Sequence, residues 1–223
     1  YNSDADQRLQ FARYDGESWT ITTIEDNAGN HASLSIGPDG NPAIAYENAG
    51  GAASLRYAAY DGSNWNFANV VAARPASISL QHRPDGQPAI AANLRGGGDR
   101  LLYATYDGSN WAVDYVDDPT AASFVSLSHN SNGIPSIAFT RSGGLFYAAS
   151  DGQQWQVNQI STDGEVWAEH SLSHEPDDTP AIAYYDRSQG LVYLTLGDDG
   201  WTGQILDGDT AGDSAVKMAR TAT

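Results

Sequence analysis

One feature limits what this chain can become more than any other: it repeats itself about every 46 residues. The unit Tyr-Asp-Gly-x-x-Trp runs from Tyr14 to Trp19, Tyr60 to Trp65 and Tyr106 to Trp111, with weakened copies at Ser150 to Trp155 and Asp198 to Trp201. A second unit, Ser-Leu-Ser leading through a turn to Pro-Ala-Ile-Ala-Tyr, begins at Ser33, Ser79, Ser126 and Ser171. Its prolines, Pro42, Pro88, Pro135 and Pro180, lie 46, 47 and 45 residues apart. A period of 40 to 50 residues is that of a four-stranded propeller blade.

Within each period, apolar residues alternate over four to six positions and Gly, Asp, Asn or Pro clusters separate the runs, so the spacing predicts four short strands and no helix. In the second period the strands fall near Ser79 to His82, Pro88 to Asn93, Leu101 to Tyr106 and Trp111 to Val116. The Asp-Gly pairs at 39–40, 61–62, 85–86, 107–108 and 151–152 read as tight turns. The fold expected is all-β: a single-domain five-bladed β-propeller of four-stranded antiparallel blades. Complete blades span about 32–70, 78–116, 125–160 and 170–206. The fifth is a composite of both termini, 9–24 plus 214–219, in which Ala215 to Met218 supplies the inner strand and closes the ring, one strand short.

Composition narrows the partners. The chain has 11 Lys+Arg against 28 Asp+Glu, a formal charge of −17. Such a surface repels phosphate backbones and anionic headgroups, which argues against nucleic acid and membrane surfaces as partners. No run approaches the roughly 18 apolar residues of a membrane-spanning helix. Cysteine is absent, so disulfides and thiolate metal sites are excluded. The start at Tyr1 reads as a processed or excised form, which favours a secreted or cell-surface protein.

The pattern SLSxxxDGxPAIAYxD…LxYAxYDGSxWxxxxV resembles tandem repeats of secreted and surface-attached bacterial proteins, with distant similarity to sialidase-type and lectin propellers. The resemblance covers Leu9 to Met218 and implies the propeller fold. Its shared residues are turn glycines, core aromatics and alternating strand positions, so no site residue is carried over from it.

Candidate sites come from the residues themselves. Trp19, Trp65, Trp111, Trp155 and Trp201 recur at the start of each outer strand. They are sugar-stacking platforms or seals between blades, and the equally regular Tyr57, Tyr103, Tyr147 and Tyr193 favour seals. His82, His129 and His174 share the parity of Leu80, Leu127 and Leu172, which places them against the neighbouring blade near the turns rather than in a metal ring. Features confined to one blade are more telling. The loops around the channel mouth gather Trp167, Glu165, His170, His31, Arg141, Tyr185 and Asp186, with Glu25, Asp26, Asn93 and Arg187 nearby. An aromatic ring beside carboxylates and planar donors is the equipment of a carbohydrate pocket.

The reading is therefore a non-catalytic, lectin-like module with a carbohydrate or protein ligand and no required cofactor. One alternative is a rigid spacer or protein-interaction domain of a larger surface protein. The other is a glycoside hydrolase using Glu169, Asp213 and Glu47, since that chemistry needs paired carboxylates at the channel mouth. Calcium held by Asp207, Asp209 and Asp213, or by Asp4 and Asp6, is the single metal alternative, because oxygen-rich loops suit a hard cation.

Overall fold

A computed structural model describes residues 2–3, 8–96, 99–117, 122–161, 166, 169–210 and 216–218. The described residues form 19 strands in five antiparallel sheets. The first sheet has three strands, β1 (Asn2–Ser3), β2 (Arg8–Tyr14) and β3 (Trp19–Asp26). The second has β4 (Ala28–Ile36), β5 (Pro42–Asn48), β6 (Ser54–Tyr60) and β7 (Trp65–Val71). The third has β8 (Arg74–His82), β9 (Pro88–Arg95), β10 (Arg100–Tyr106) and β11 (Trp111–Asp117). The fourth has β12 (Ala122–His129), β13 (Pro135–Arg141), β14 (Gly144–Ser150) and β15 (Trp155–Ser161). The fifth has β16 (Ser171–His174), β17 (Pro180–Asp186), β18 (Gly190–Gly197) and β19 (Gly200–Asp207).

Each four-stranded sheet is a simple meander whose neighbours in sequence are neighbours in space. The Pro-Ala-Ile-Ala strands β5, β9, β13 and β17 are buried almost throughout, and β5, β9 and β13 lie in sheets flanked by another sheet on both sides. The outer strands alternate and are largely exposed. Between third and fourth strands the turn is closed by its own aspartate. Asp61 Oδ1 accepts the amides of Ser63 and Asn64, and Asp107 Oδ1 those of Ser109 and Asn110. Gly62 and Gly108 supply the positive φ, 95° and 97°, that this turn requires.

The sheets are pinned to one another along their inner strands. Ser33 Oγ accepts the amide of Leu80, Ser79 Oγ that of Leu127 and Ser126 Oγ that of Leu172, at 2.9, 3.0 and 2.9 Å. Each staple joins one first strand to that of the next sheet, so the recurring serine does more than keep the channel wall small. The histidines add a second layer: Ser35 Oγ lies 2.9 Å from His82 Nδ1, Ser128 Oγ 2.8 Å from His174 Nδ1, and Tyr103 Oη 2.9 Å from His129 Nε2.

Among the described residues the expected composite blade is not formed. The strand beside β2 comes from the N-terminal Asn2–Ser3, and Val216, Lys217 and Met218 are not in a strand, while Ala215 lies outside the described residues. Leu80, Leu127 and Leu172 are buried by the inner strand of the preceding sheet, at 3%, 0% and 3% exposure. Their counterpart Leu34 is 53% exposed and Ile36 55%, because among the described residues the first sheet has no inner strand to cover them. Among the described residues, the principal inter-sheet packing runs from first sheet to fifth in order, and none of it links the fifth back to the first.

Candidate functional site

Every sheet gap is sealed by an edge-on aromatic pair. Trp65 packs on Phe11, Trp111 on Tyr57, Trp155 on Tyr103 and Trp201 on Tyr147, with ring centroids 5.6, 5.1, 5.4 and 5.1 Å apart. The gaps differ in what meets the indole N–H. Trp155 Nε1 donates to Asp114 Oδ2 at 3.0 Å. Asp114 stands opposite Tyr103 in the β10–β11 register, and the residue at the same place opposite Tyr57 is Ala68. Alanine offers no acceptor, so Trp111 Nε1 is buried with no hydrogen-bond partner among the described residues.

A cavity of about 550 Å³ opens at this gap, between the second and third sheets. Its aromatic lining is Tyr57, Tyr60, Phe67, Tyr106 and Trp111. Asp39, Asn41, Asn66, His82, Asp85 and Gln87 supply carboxylates, amides and an imidazole around it. Burial pushes the Tyr57 phenol up to about 12, so its hydroxyl stays a donor at neutral pH. Burial also lowers His82, opposed by the Asp39 charge, which leaves the ring neutral. The hydrogen bonds that Asn41 gives Asp39 through its backbone and side chain hold that carboxyl below its ordinary value.

A second concave region is the channel between inner strands, about 570 Å³, walled by the stapling serines with Glu169, His170, Lys217 and Met218. At its mouth lies a space of about 390 Å³. One residue per sheet reaches this mouth from the same repeat position, two ahead of Ser33, Ser79, Ser126 and Ser171: His31, Ser77, Phe124 and Glu169. A register break opens the inner strand of the second, third and fourth sheets at or beside these residues, and Phe124 there takes φ 44°. Bulges re-aim side chains in this way beside sites.

Those of the residues singled out from sequence that are described lie at several places in the fold. His31 and Glu169 both line the mouth, as does Arg95. His170 is 2% exposed in the channel wall, and neither ring nitrogen meets the geometry of a hydrogen bond with any described residue. Glu47 is 1% exposed and pairs with Arg74, Nε to Oε1 2.7 Å. Asp186 is buried and closes its own turn, accepting Ser188 N, Ser188 Oγ and Gln189 N. Tyr185 Oη donates to the Asp209 carbonyl at 3.0 Å, and Arg141 lies 4.1 Å over the Phe146 ring. Asp207 Oδ1 accepts the Asp209 amide. Trp167, Glu165, Asp213, Asp4 and Asp6 lie outside the described residues. No group of three metal-ligating side chains occurs among the described residues. Sequence reasoning passed over Arg95, Phe124 and the Trp111 gap, although the contrast of Ala68 with Asp114 is visible once the repeats are aligned.

No family model matches the chain, and no curated protein does. Solved structures do. The Aleuria aurantia lectin, in complex with Fucα1-6GlcNAc, is 17% identical and superposes with TM-score 0.65 over 93% of this chain and 74% of its own. AofleA from Arthrobotrys oligospora is 15% identical, TM-score 0.66, over 96% and 68%. The Hadza microbial sialidase Hz136 is 13% identical, TM-score 0.64, over 95% and 55%. At this identity the likeness is one of fold alone: an all-β propeller. The Aleuria aurantia lectin is a six-bladed propeller, which overturns the closed five-bladed ring expected from the repeat count.

Proposed function

We propose that the chain is a carbohydrate-binding module working outside the cell, and that its sugar site is the gap between the second and third sheets. One observation carries this reading: the buried Trp111 N–H lacks an acceptor where the equivalent Trp155 has one. A buried donor left unpaired costs about 1–3 kcal/mol, and a ligand hydroxyl would relieve that cost once the side chains covering the nitrogen shift on binding. The surroundings suit a sugar, whose apolar face stacks on aromatic rings while amides and carboxylates read its hydroxyls. The neighbours support the choice of ligand class, since two solved complexes of the Aleuria aurantia lectin hold a fucoside.

The test is titration calorimetry with a saccharide panel led by α-methyl-L-fucoside, on the unmutated protein and on Trp111→Phe, which keeps a ring and deletes the N–H. The reading expects binding that weakens about tenfold in the variant. Absence of binding across the panel, or affinity indifferent to Trp111→Phe, would overturn it.

A further inference from the structure

The channel mouth carries an electrostatic arrangement that lies apart from the Trp111 cavity. Arg74 on β8 and Arg95 on β9 are direct cross-strand partners. Like charges placed opposite one another destabilise a sheet, so such a pair calls for a counter-charge. Arg74 has one, the buried Glu47 carboxylate at 2.7 Å. Arg95 is exposed, lines the mouth, and makes no hydrogen bond or ion pair among the described residues. In a chain with 28 acidic and 11 basic side chains, carboxylates to neutralise it are abundant, yet none among the described residues is placed on it.

What surrounds Arg95 defines what it can hold. His31 on β4 is half-buried, and burial, the largest influence on it, keeps the imidazole neutral at pH 7 despite the nearby Glu47. It can therefore give or take one hydrogen bond. Ser77 adds a hydroxyl that accepts the Val125 amide at 2.9 Å and can still donate, Phe124 a ring, and Glu169 a carboxylate already turned toward Lys217 at 3.8 Å. The mouth, about 390 Å³, matches one sugar ring with a charged substituent.

We propose that the channel mouth is a second site, for a monosaccharide bearing a carboxylate, with Arg95 taking the acid. A guanidinium presents a planar fork that meets a carboxylate with two parallel hydrogen bonds, which a neutral ester cannot reproduce. Phe124 lies against the ring, and His31, Ser77 and Glu169 read its hydroxyls. This inference rests on the carbohydrate reading of the chain but on different residues, so the two can fail separately.

The experiment is calorimetry at low ionic strength with D-glucuronate and N-acetylneuraminate, which separate a uronic from a nonulosonic acid. Methyl D-glucuronate, its carboxyl esterified, is the neutral control. At least one acid should bind about tenfold or more tighter than the ester, and Arg95→Ala should erase that preference while Arg95→Lys restores part of it. An acid preference that survives Arg95→Ala and Arg95→Gln overturns the proposal, as does equal binding of acid and ester. If fucosides bind through Trp111 but neither acid binds, the mouth site falls and the carbohydrate reading stands. If the acids bind through Arg95 while Trp111→Phe is silent toward neutral sugars, the gap site falls alone. If no saccharide binds, both fall.

Discussion

Asp114 and Trp155 lie on different sheets, 41 residues apart, and are joined by one hydrogen bond of 3.0 Å from the indole Nε1 to Oδ2. It bridges the outer edge of the gap between the third and fourth sheets. One gap earlier, Trp111 stands where Trp155 stands and Ala68 where Asp114 stands, and the bridge is missing. A repeat that keeps its tryptophan but loses the acceptor trades a structural contact for an open donor.

That contrast can be tested by transplantation. Ala68→Asp should give Trp111 the acceptor that Trp155 already has, raising stability by about 1 kcal/mol in denaturant melts. The same change should abolish saccharide binding at this gap, because donor and space are both taken. A variant that is more stable yet binds normally would separate the gap from the ligand.

The serine staples make a second prediction. Ser79→Ala removes the acceptor of the Leu127 amide, and Ser126→Ala that of the Leu172 amide, both between inner strands of adjacent sheets. Each should cost about 1–3 kcal/mol, the penalty of a stranded backbone donor, in urea unfolding. Serines acting only as small spacers would tolerate alanine with little loss.

The legible part of this molecule was local and repeated. Turn aspartates and glycines, and the alternation around Pro-Ala-Ile-Ala, are short-range physics and place the strands of the complete sheets close to where they form. Closure was not legible. Ala215 to Met218 has the apolar pattern of an inner strand, but pairing depends on a partner edge more than a hundred residues away, and a pattern carries no address for it. Asn2–Ser3, which pairs with β2, is too short to show any period. The number of blades around a ring follows from packing angles between sheets rather than from copies counted along a chain. The Trp111 gap was hidden for a related reason. The tryptophans look alike in sequence, and what distinguishes them is one residue, Ala68 or Asp114, on the sheet before.

Two buried histidines predict how stability responds to acid. His170 is enclosed in the channel wall, and burial holds it down to about 4, with the Ala138 backbone acting weakly the other way. His129 is held to about 4 by burial first, then by the Arg83 and His174 charges, against Asp85. Both therefore lie below their ordinary value of 6.5 in the folded chain. As pH falls through 6.5 the unfolded chain takes up protons that the folded chain refuses, so stability is full above about 6.5 and drains away toward pH 4. Each histidine accounts for a loss on the order of 3 kcal/mol by pH 4. The turn carboxylates Asp15, Asp61, Asp107 and Asp151 sit below their ordinary 3.8 through backbone hydrogen bonds, so their contribution is lost at lower pH and is separable. Urea unfolding between pH 7.5 and 4.5 should show a steady fall, with a shallower slope in His170→Leu and in His129→Gln. A flat profile down to pH 4.5, or one that both substitutions leave unchanged, would mean that neither imidazole is held neutral by its burial.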